Sequence, residues 1–406
     1  MWQPEMDAFD GEDPDYPSSD YLLMVLKALY GTKQSGRMWY LHISRQMKSW
    51  KFIQLNSEAC IFLRRDDKGE VILIVCIYVD DVISIAKEYK YIDELWSLIS
   101  AKYPLKILGE VKEYLGIEVN YKKDAGTIFL HQRSYAEKVL KRFSMFDSNP
   151  VATPVAVSWQ VDVDSPKLSI IYANKYRAIV GSIMYLTTST RPDLYFLTVI
   201  LARGMQDPTE SHMSLAKRGL RYLKGTMDFG LTFDTDQTLI GYSDADFASA
   251  EAGRKSLTGY IFMYKGSTVS ASTKQQSLVC LSTCEAEYVA LSMSAREGLY
   301  LRQLARELGI RGDGPVIILG DNECANLLTG DTVTNQRTKH IDVRYHHIRQ
   351  LVQDKVLEVK RVPTEHNLAD LFTKALPKDR FRKLTSIILG QTQSEWMSDS
   401  GQQILK

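Results

Sequence analysis

The run at residues 71–79, VILIVCIYV, is apolar throughout, stops at Asp80 and Asp81, and resumes as VISIA at 82–86. A membrane-spanning helix needs about 20 apolar residues, so this run is too short to cross a bilayer. Its valines and isoleucines favour extended backbone, and a carboxylate pair between two such runs belongs at a tight turn. The sequence therefore predicts two buried strands with the acidic pair between them. The helix after them carries Ile92, Leu95, Trp96 and Ile99 on one face, at the 3.6-residue period. A second amphipathic helix follows Gln132, with Ala136, Val139, Leu140 and Phe143 on its apolar side.

The chain has 406 residues, 45% hydrophobic and 24% charged, which is the composition of an ordinary folded protein. At roughly 100 to 200 residues per domain, that length predicts two or three domains. Fifty Lys plus Arg against 49 Asp plus Glu leave a net charge of +1, so a polyanionic partner must be held by local basic patches. Cys60, Cys76, Cys280, Cys284 and Cys324 are odd in number and scattered, which points to reduced thiols inside a cell. The N-terminus has no basic region followed by an apolar stretch, so no secretory signal is expected. No membrane partner is expected either.

Residues 1–20 hold seven carboxylates and no Lys or Arg, and read as a solvated lead-in. Pro150, Pro154 and Pro166 mark an irregular connection between 144 and 175. Helices are expected over 176–195 and 211–224. From about Leu239 the pattern becomes three strands, a long helix, a strand, two helices, a strand and a helix, a mixed α/β arrangement. The tail after Gly390 is polar and expected to fray.

That last region is rich in carboxylates at strand ends and helix starts. Asp244 and Asp246 lie two apart on a predicted strand and leave the same face. Glu285 and Glu287 open the long helix, Asp321 ends the strand VIILG, and Asp370 sits in NLADLFTK. Converging carboxylates repel one another unless cations lie between them, and such sites suit hard, oxygen-loving Mg²⁺. Any one of these acids alone is more often a helix cap or solvated surface. Periodicity does not choose between Glu285 and Glu287, which flank the apolar face of their helix symmetrically. Glu297 falls near that face, where a partner such as Arg302 or an exit to solvent would account for it.

Several segments together carry a resemblance. YVDD at 78–81 resembles the catalytic box of reverse transcriptases, and LKALYGTKQSGRMWY at 26–40 is similar to the LYGLKQAxRxWY motif of copia-type enzymes. LGEVKEYLGIEV, YRAIVGSIMYLTTSTRPDL, KRGLRYLKGT, GYSDADFA, KQQSLVCLSTCEAEYVAL, DNECAN, RTKHIDVRYHHIR and NLADLFTKAL continue it in order. The match runs over about residues 22 to 382, and the sequence resembles the C-terminal part of a Ty1/copia-type retrotransposon Pol polyprotein.

The resemblance implies an α/β and α+β multidomain fold: a partial reverse transcriptase palm and thumb, then a ribonuclease H-like mixed five-stranded sheet with helices. It implies a lead-in at 1–20, a truncated reverse transcriptase at 21–145, a connection at 146–235, a ribonuclease H-like domain at 236–382 and a polar tail at 383–406. Asp244, Glu287, Asp321 and Asp370 match the four ribonuclease H acids, with Glu287 matched by the Tyr-Val-Ala that follows it. Asp80 and Asp81 match the polymerase pair. MWQPEMDAF resembles a stretch downstream of the third polymerase aspartate, so Met1 is expected to be an internal methionine of a longer ancestor. Ala271 stands where the family usually has Trp, which predicts looser packing of that strand.

The expected function is two-metal hydrolysis of the RNA strand of RNA/DNA hybrids, with Mg²⁺ or Mn²⁺ as cofactor. Alternatives are RNA-directed DNA polymerase activity on a template-primer and a non-catalytic nucleic-acid-binding remnant. Other Pol segments are possible partners, and the family implies an intracellular place, in a cytoplasmic virus-like particle or the nucleus. Two basic tracks are expected to meet phosphates. Lys217, Arg221 and Lys224 form one, and Arg337, Lys339, His340, Arg344 and His347 the other. A solvated helix face explains the first track equally well and is the alternative for the second, and no cysteine pair or second histidine cluster completes a zinc site with the histidines.

Overall fold

The structure, a computed structural model, describes residues 31–234, 239–247, 254–310, 314–323 and 342–391. The chain divides into two compact units, Met1–Val111 with Tyr300–Asp313, and Lys112–Leu299 with Gly314–Lys406. The expected acidic lead-in lies outside the described residues. No described helix is long and apolar enough to cross a membrane.

The first unit contains α1 (Ser35–Ser49), β1 (Ile53–Gln54), β2 (Ile61–Arg65), β3 (Val71–Tyr78), β4 (Asp81–Ala86) and α2 (Tyr89–Ser100). The four strands form an antiparallel sheet in the order β1-β2-β3-β4. The apolar run forms β3 as predicted, and VISIA falls in β4. Tyr78 pairs with Asp81, which leaves Val79 and Asp80 as a two-residue turn, with Val79 in the left-handed region at φ 52°. Ile43 and Met47 of α1, Leu73, Val75 and Ile77 of β3, and Leu95 and Ile99 of α2 close one core.

The second unit begins with β5 (Glu113–Tyr114), β6 (Ile117–Lys122), β7 (Thr127–His131) and α3 (Arg133–Arg142). The helices α4 (Ile170–Ser189), α5 (Tyr195–Arg203) and α6 (Glu210–Gly225) follow, then β8 (Gly230–Phe233). Because β8 pairs with β7, the strands at 112–131 belong to this unit, although they fall within the 21–145 stretch expected to be one domain. The helix expected at 176–195 runs instead over Ile170–Ser189 and is interrupted before Pro192, whose ring disfavours helical backbone in the residue preceding it.

The remainder is β9 (Ile240–Asp246), β10 (Leu257–Tyr264), β11 (Ser267–Gln275), α7 (Thr283–Glu307), β12 (Val316–Gly320), α8 (Asp342–Gln353), β13 (Leu357–Arg361), α9 (Asp370–Thr373) and α10 (Lys378–Ile388). The strands make the expected mixed five-stranded sheet, in the order β11-β10-β9-β12-β13. Its β9-β10 and β10-β11 pairs are antiparallel, and β9-β12 and β12-β13 are parallel. Connection helices and this sheet share one core: Ile183, Leu197 and Leu220 cluster with Ile240, Ile261, Leu319 and Phe372.

The polar tail expected from residue 383 starts later. Leu384, Ile388 and Leu389 are buried, and Leu389 O accepts a hydrogen bond from Thr232 N. Gly390 then ends α10 at φ 68°, with Gln391 N bonded back to Ser386 O. A side chain at Gly390 would strike the Thr232 carbonyl, so the crossing over β8 requires glycine. Residues 392–406 lie outside the described residues.

Candidate active site

Two parallel strands set the first pair of acids side by side. Gly320 of β12 is in register with Ser243 of β9, so Asp321, the next residue, arrives beside Asp244 at the carboxyl ends of the strands. Ligand placement at such strand ends is common in α/β sheets. Asp244 is 1% exposed in the centre of the sheet.

The third acid comes from 126 residues further along the chain. Asn367 is buried, donates through Nδ2 to Ser243 O at 3.0 Å, and accepts from Ala369 N at 3.1 Å. This clamp places the short helix α9 against β10. Gly259, paired with Asp244, is where the helix touches: a Cβ there would come within 2.7 Å of both Phe372 Cβ and Thr373 Cγ2. The missing side chain lets Asp370, 0% exposed, reach the strand. Carboxylate oxygens of Asp244, Asp321 and Asp370 lie within 4.8 Å of one another.

The start of α7 gives its two glutamates different surroundings. Ser282 Oγ accepts from Glu285 N at 3.2 Å while the Glu285 carboxylate accepts from Leu281 N at 2.7 Å, close to a capping box. Glu285 is thus occupied in starting the helix. Glu287 instead lies near enough to Asp244 and Asp321 to feel both charges, and accepts a hydrogen bond from the Ala245 amide. Glu297, left open by the sequence, accepts from Ser270 Oγ at 2.6 Å.

The electrostatics follow from burial. Desolvation, then the charges of Asp244 and Asp321, push Glu287 up to about 9. Burial also raises Asp244, against the opposing pull of Lys374 and with Asp370 adding to it. Burial and Asp244 raise Asp321, opposed by a hydrogen bond from Thr364. A buried all-oxygen donor set short of positive charge fits a hard divalent cation such as Mg²⁺ or Mn²⁺.

Four neighbours of the acids carried no signal that sequence reasoning used. Thr373 Oγ1 donates to Asp244, and Arg380 pairs with Asp370. Lys374 Nζ lies 2.7 Å from Asp370 Oδ1 and 3.4 Å from Asp244 Oδ2. Asn367 is the fourth. The i,i+4 spacing of Asp370 and Lys374 was the one readable hint.

Metal-free, these shifts have a pH consequence. Glu287 keeps its proton in the folded chain between its ordinary 4.5 and about 9, whereas the unfolded chain releases it near 4.5. The folded state then binds more protons, so stability present below pH 4.5 is lost as pH rises towards 9. In EDTA the melting temperature is expected to fall from pH 5 to pH 9, and Glu287→Gln to flatten that slope. Parallel slopes for the two proteins would refute the burial of Glu287 among like charges.

Asp80 and Asp81 are exposed at the β3-β4 turn, and Trp39 Nε1 holds the turn by donating to Val79 O at 2.6 Å. Among the described residues, no third acid joins them in a ligand group. Of the first basic track, Lys217 is exposed, Arg221 Nε donates to Asn149 O at 2.7 Å, and Lys224 Nζ sits 4.0 Å from the centre of the Phe146 ring. Arg221 and Lys224 thus tie α6 to the segment at 146–149. In the second track His347 is exposed on α8, while Arg337, Lys339 and His340, and the side chain of Arg344, lie outside the described residues.

The family model "Reverse transcriptase (RNA-dependent DNA polymerase)" matches residues 15–157. The Retrovirus-related Pol polyprotein from transposon TNT 1-94 of Nicotiana tabacum is 34% identical over 368 residues, 89% of this chain and 28% of that protein. Its counterpart from transposon RE1 of Arabidopsis thaliana is 35% identical over 384 residues, 93% of this chain and 25% of that protein. The chain therefore spans about a quarter of the length of these relatives. Among solved structures, LC11-RNase H1, isolated from compost, is similar over 37% of this chain and 98% of its own, at 18% identity and a TM-score of 0.27.

Proposed function

Because this chain belongs to the Ty1/copia-type retrotransposon Pol polyprotein family, we propose that its second unit is a ribonuclease H-type endonuclease that hydrolyses the RNA strand of RNA/DNA hybrids. The observation that supports this most is the meeting of three carboxylates within 4.8 Å beside the adjacent strands β9 and β12, with Glu287 against them. Asp244, Glu287, Asp321 and Asp370 would hold two Mg²⁺ or Mn²⁺ ions. Such ions, when bound, acidify a water towards neutral pH and offset the charge on the leaving oxygen.

The chain's own residues prepare that centre. Asn367 fixes the loop that delivers Asp370, Thr373 orients one oxygen of Asp244, and the Ala245 amide holds Glu287. The exposed side chains of Lys217 and His347 would meet hybrid phosphates, which position the duplex without reading its sequence. Other Pol segments are the protein partners this reading implies, and the inside of a cell its place of action. The hydrolytic chemistry belongs to the buried acids and not to the exposed turn at Asp80 and Asp81.

The test is direct. The purified 406-residue chain is expected to cut the labelled RNA of an RNA/DNA hybrid in Mg²⁺ or Mn²⁺, and to cut neither that hybrid in EDTA nor an RNA/RNA duplex of the same sequence. Cleavage that persists in EDTA, or none in either metal, overturns the reading.

A further inference from the structure

The acids of the site are not bare. Lys374 Nζ bridges Asp370 Oδ1 at 2.7 Å and Asp244 Oδ2 at 3.4 Å, and those two side chains are 0% and 2% exposed. Lys374 itself is 38% exposed. Arg380, from the first turns of α10, holds Asp370 from another side and donates to Thr364 O at 2.6 Å. The two cations differ in what they can do. Arg380 is bound to both a carboxylate and a backbone carbonyl, so leaving would strand two acceptors. Lys374 has a flexible four-carbon stem and a partly exposed side chain, so its ammonium has a short way out to water.

We propose that Lys374 is the resident counter-cation of the metal-free site, displaced when divalent ions load, so that it stabilises the empty centre and raises the metal concentration needed to fill it. This rests on the reading of the four acids as metal ligands. The oxygens that Lys374 occupies belong to two of the three acids that converge. An ammonium and a divalent ion cannot share one carboxylate pair without strong repulsion, since like charges a few ångströms apart in a site shielded from water are poorly screened. Without either cation the buried acids repel one another, so the fold needs one or the other. The lysine therefore allows the chain to fold before metal arrives, and hydrolysis to begin only above a threshold of divalent ion.

The experiment uses the full chain and reads melting, not cleavage. Wild type and Lys374→Met, which keeps the stem and removes the charge, are melted in EDTA and across a series of Mg²⁺ concentrations, and Mg²⁺ binding is followed by calorimetry. Lys374→Met is expected to melt lower in EDTA, yet to reach half of its Mg²⁺ stabilisation at a concentration about tenfold lower than wild type or less. Lys374→Arg, which keeps the charge, should keep the wild-type midpoint. A merely structural role would weaken metal binding along with the fold, the opposite direction. A midpoint for Lys374→Met that is unchanged or higher overturns the proposal. If Lys374→Met is unfolded in EDTA, refolding on adding Mg²⁺ supports the proposal and failure to refold overturns it. A wild-type chain that binds Mg²⁺ but cuts no hybrid would sink the nuclease assignment and leave this proposal standing.

Discussion

Asp244→Asn is expected to lower divalent-dependent cleavage of a labelled RNA/DNA hybrid by on the order of a thousandfold, since losing a ligand removes several kcal/mol of charge stabilisation at the reacting phosphate. Asp244 is the residue to change because it touches everything else at the site. It lies beside Asp321 through strand register, shares Lys374 with Asp370, and accepts from Thr373. The fold should survive the substitution. Asn keeps an oxygen for the Thr373 hydroxyl and removes a charge whose burial already raises its pKa. In EDTA at pH 8 the melting temperature of Asp244→Asn should therefore be no lower than that of wild type. A variant that cuts within tenfold of wild type would show that the chemistry lies elsewhere; one that unfolds would show that Asp244 is chiefly structural.

The largest effect on stability is expected at Arg191, in the connection. Its guanidinium is 2% exposed and grips Asp193, itself 1% exposed, through Nε–Oδ1 at 2.9 Å and Nη2–Oδ2 at 2.7 Å. Nη1 and Nη2 also donate to Thr226 O and Oγ1 at 2.8 and 2.7 Å, and Tyr222 OH donates to Asp193 Oδ2 at 2.7 Å. The rings of Tyr222 and Phe229 lie 5.7 and 5.4 Å from the guanidinium carbon. This one side chain joins the start of α5 to the end of α6. Arg191→Met strands a buried carboxylate, which costs about 3–5 kcal/mol and lowers the melting temperature by on the order of 10 °C. The double variant Arg191→Met, Asp193→Leu should recover much of the loss, because an apolar pair of similar volume has no charge to desolvate. A single variant that melts within about 2 °C of wild type would mean that the network is already open to water.

These two sites differ in how visible they were beforehand. The acids were legible one at a time: Asp244 lies on a strand, Asp321 follows one, and Glu287 and Asp370 lie at or near helix starts. Periodicity left Glu285 and Glu287 equal because both flank the same apolar face; the resemblance pointed to Glu287 through the Tyr-Val-Ala after it, and in the structure Ser282 and Leu281 engage Glu285 at the cap. Arg191 and Asp193 sat inside a segment recognised only for its resemblance. Nothing in a lone Arg and Asp two residues apart says that Tyr222 and Thr226 will enclose them. The basic track on α6 was expected to meet phosphates, yet Arg221 and Lys224 find partners in residues 146–149 that no helical wheel contains.

The sequence by itself determined the local objects: the two strands meeting at Asp80, the amphipathic helices, the strands and long helix that follow Leu239, and the carboxylates carried there. These depend on side-chain period and turn chemistry, which act between near neighbours. The tertiary structure decided which acids meet, which cations stand among them and where the compact units divide. Thr373 reaches Asp244 across 129 residues of chain, and Asn367 reaches Ser243 across 124. Such contacts exist because Gly259 lets a helix lie on a strand, a condition of three-dimensional approach that no period along the chain encodes.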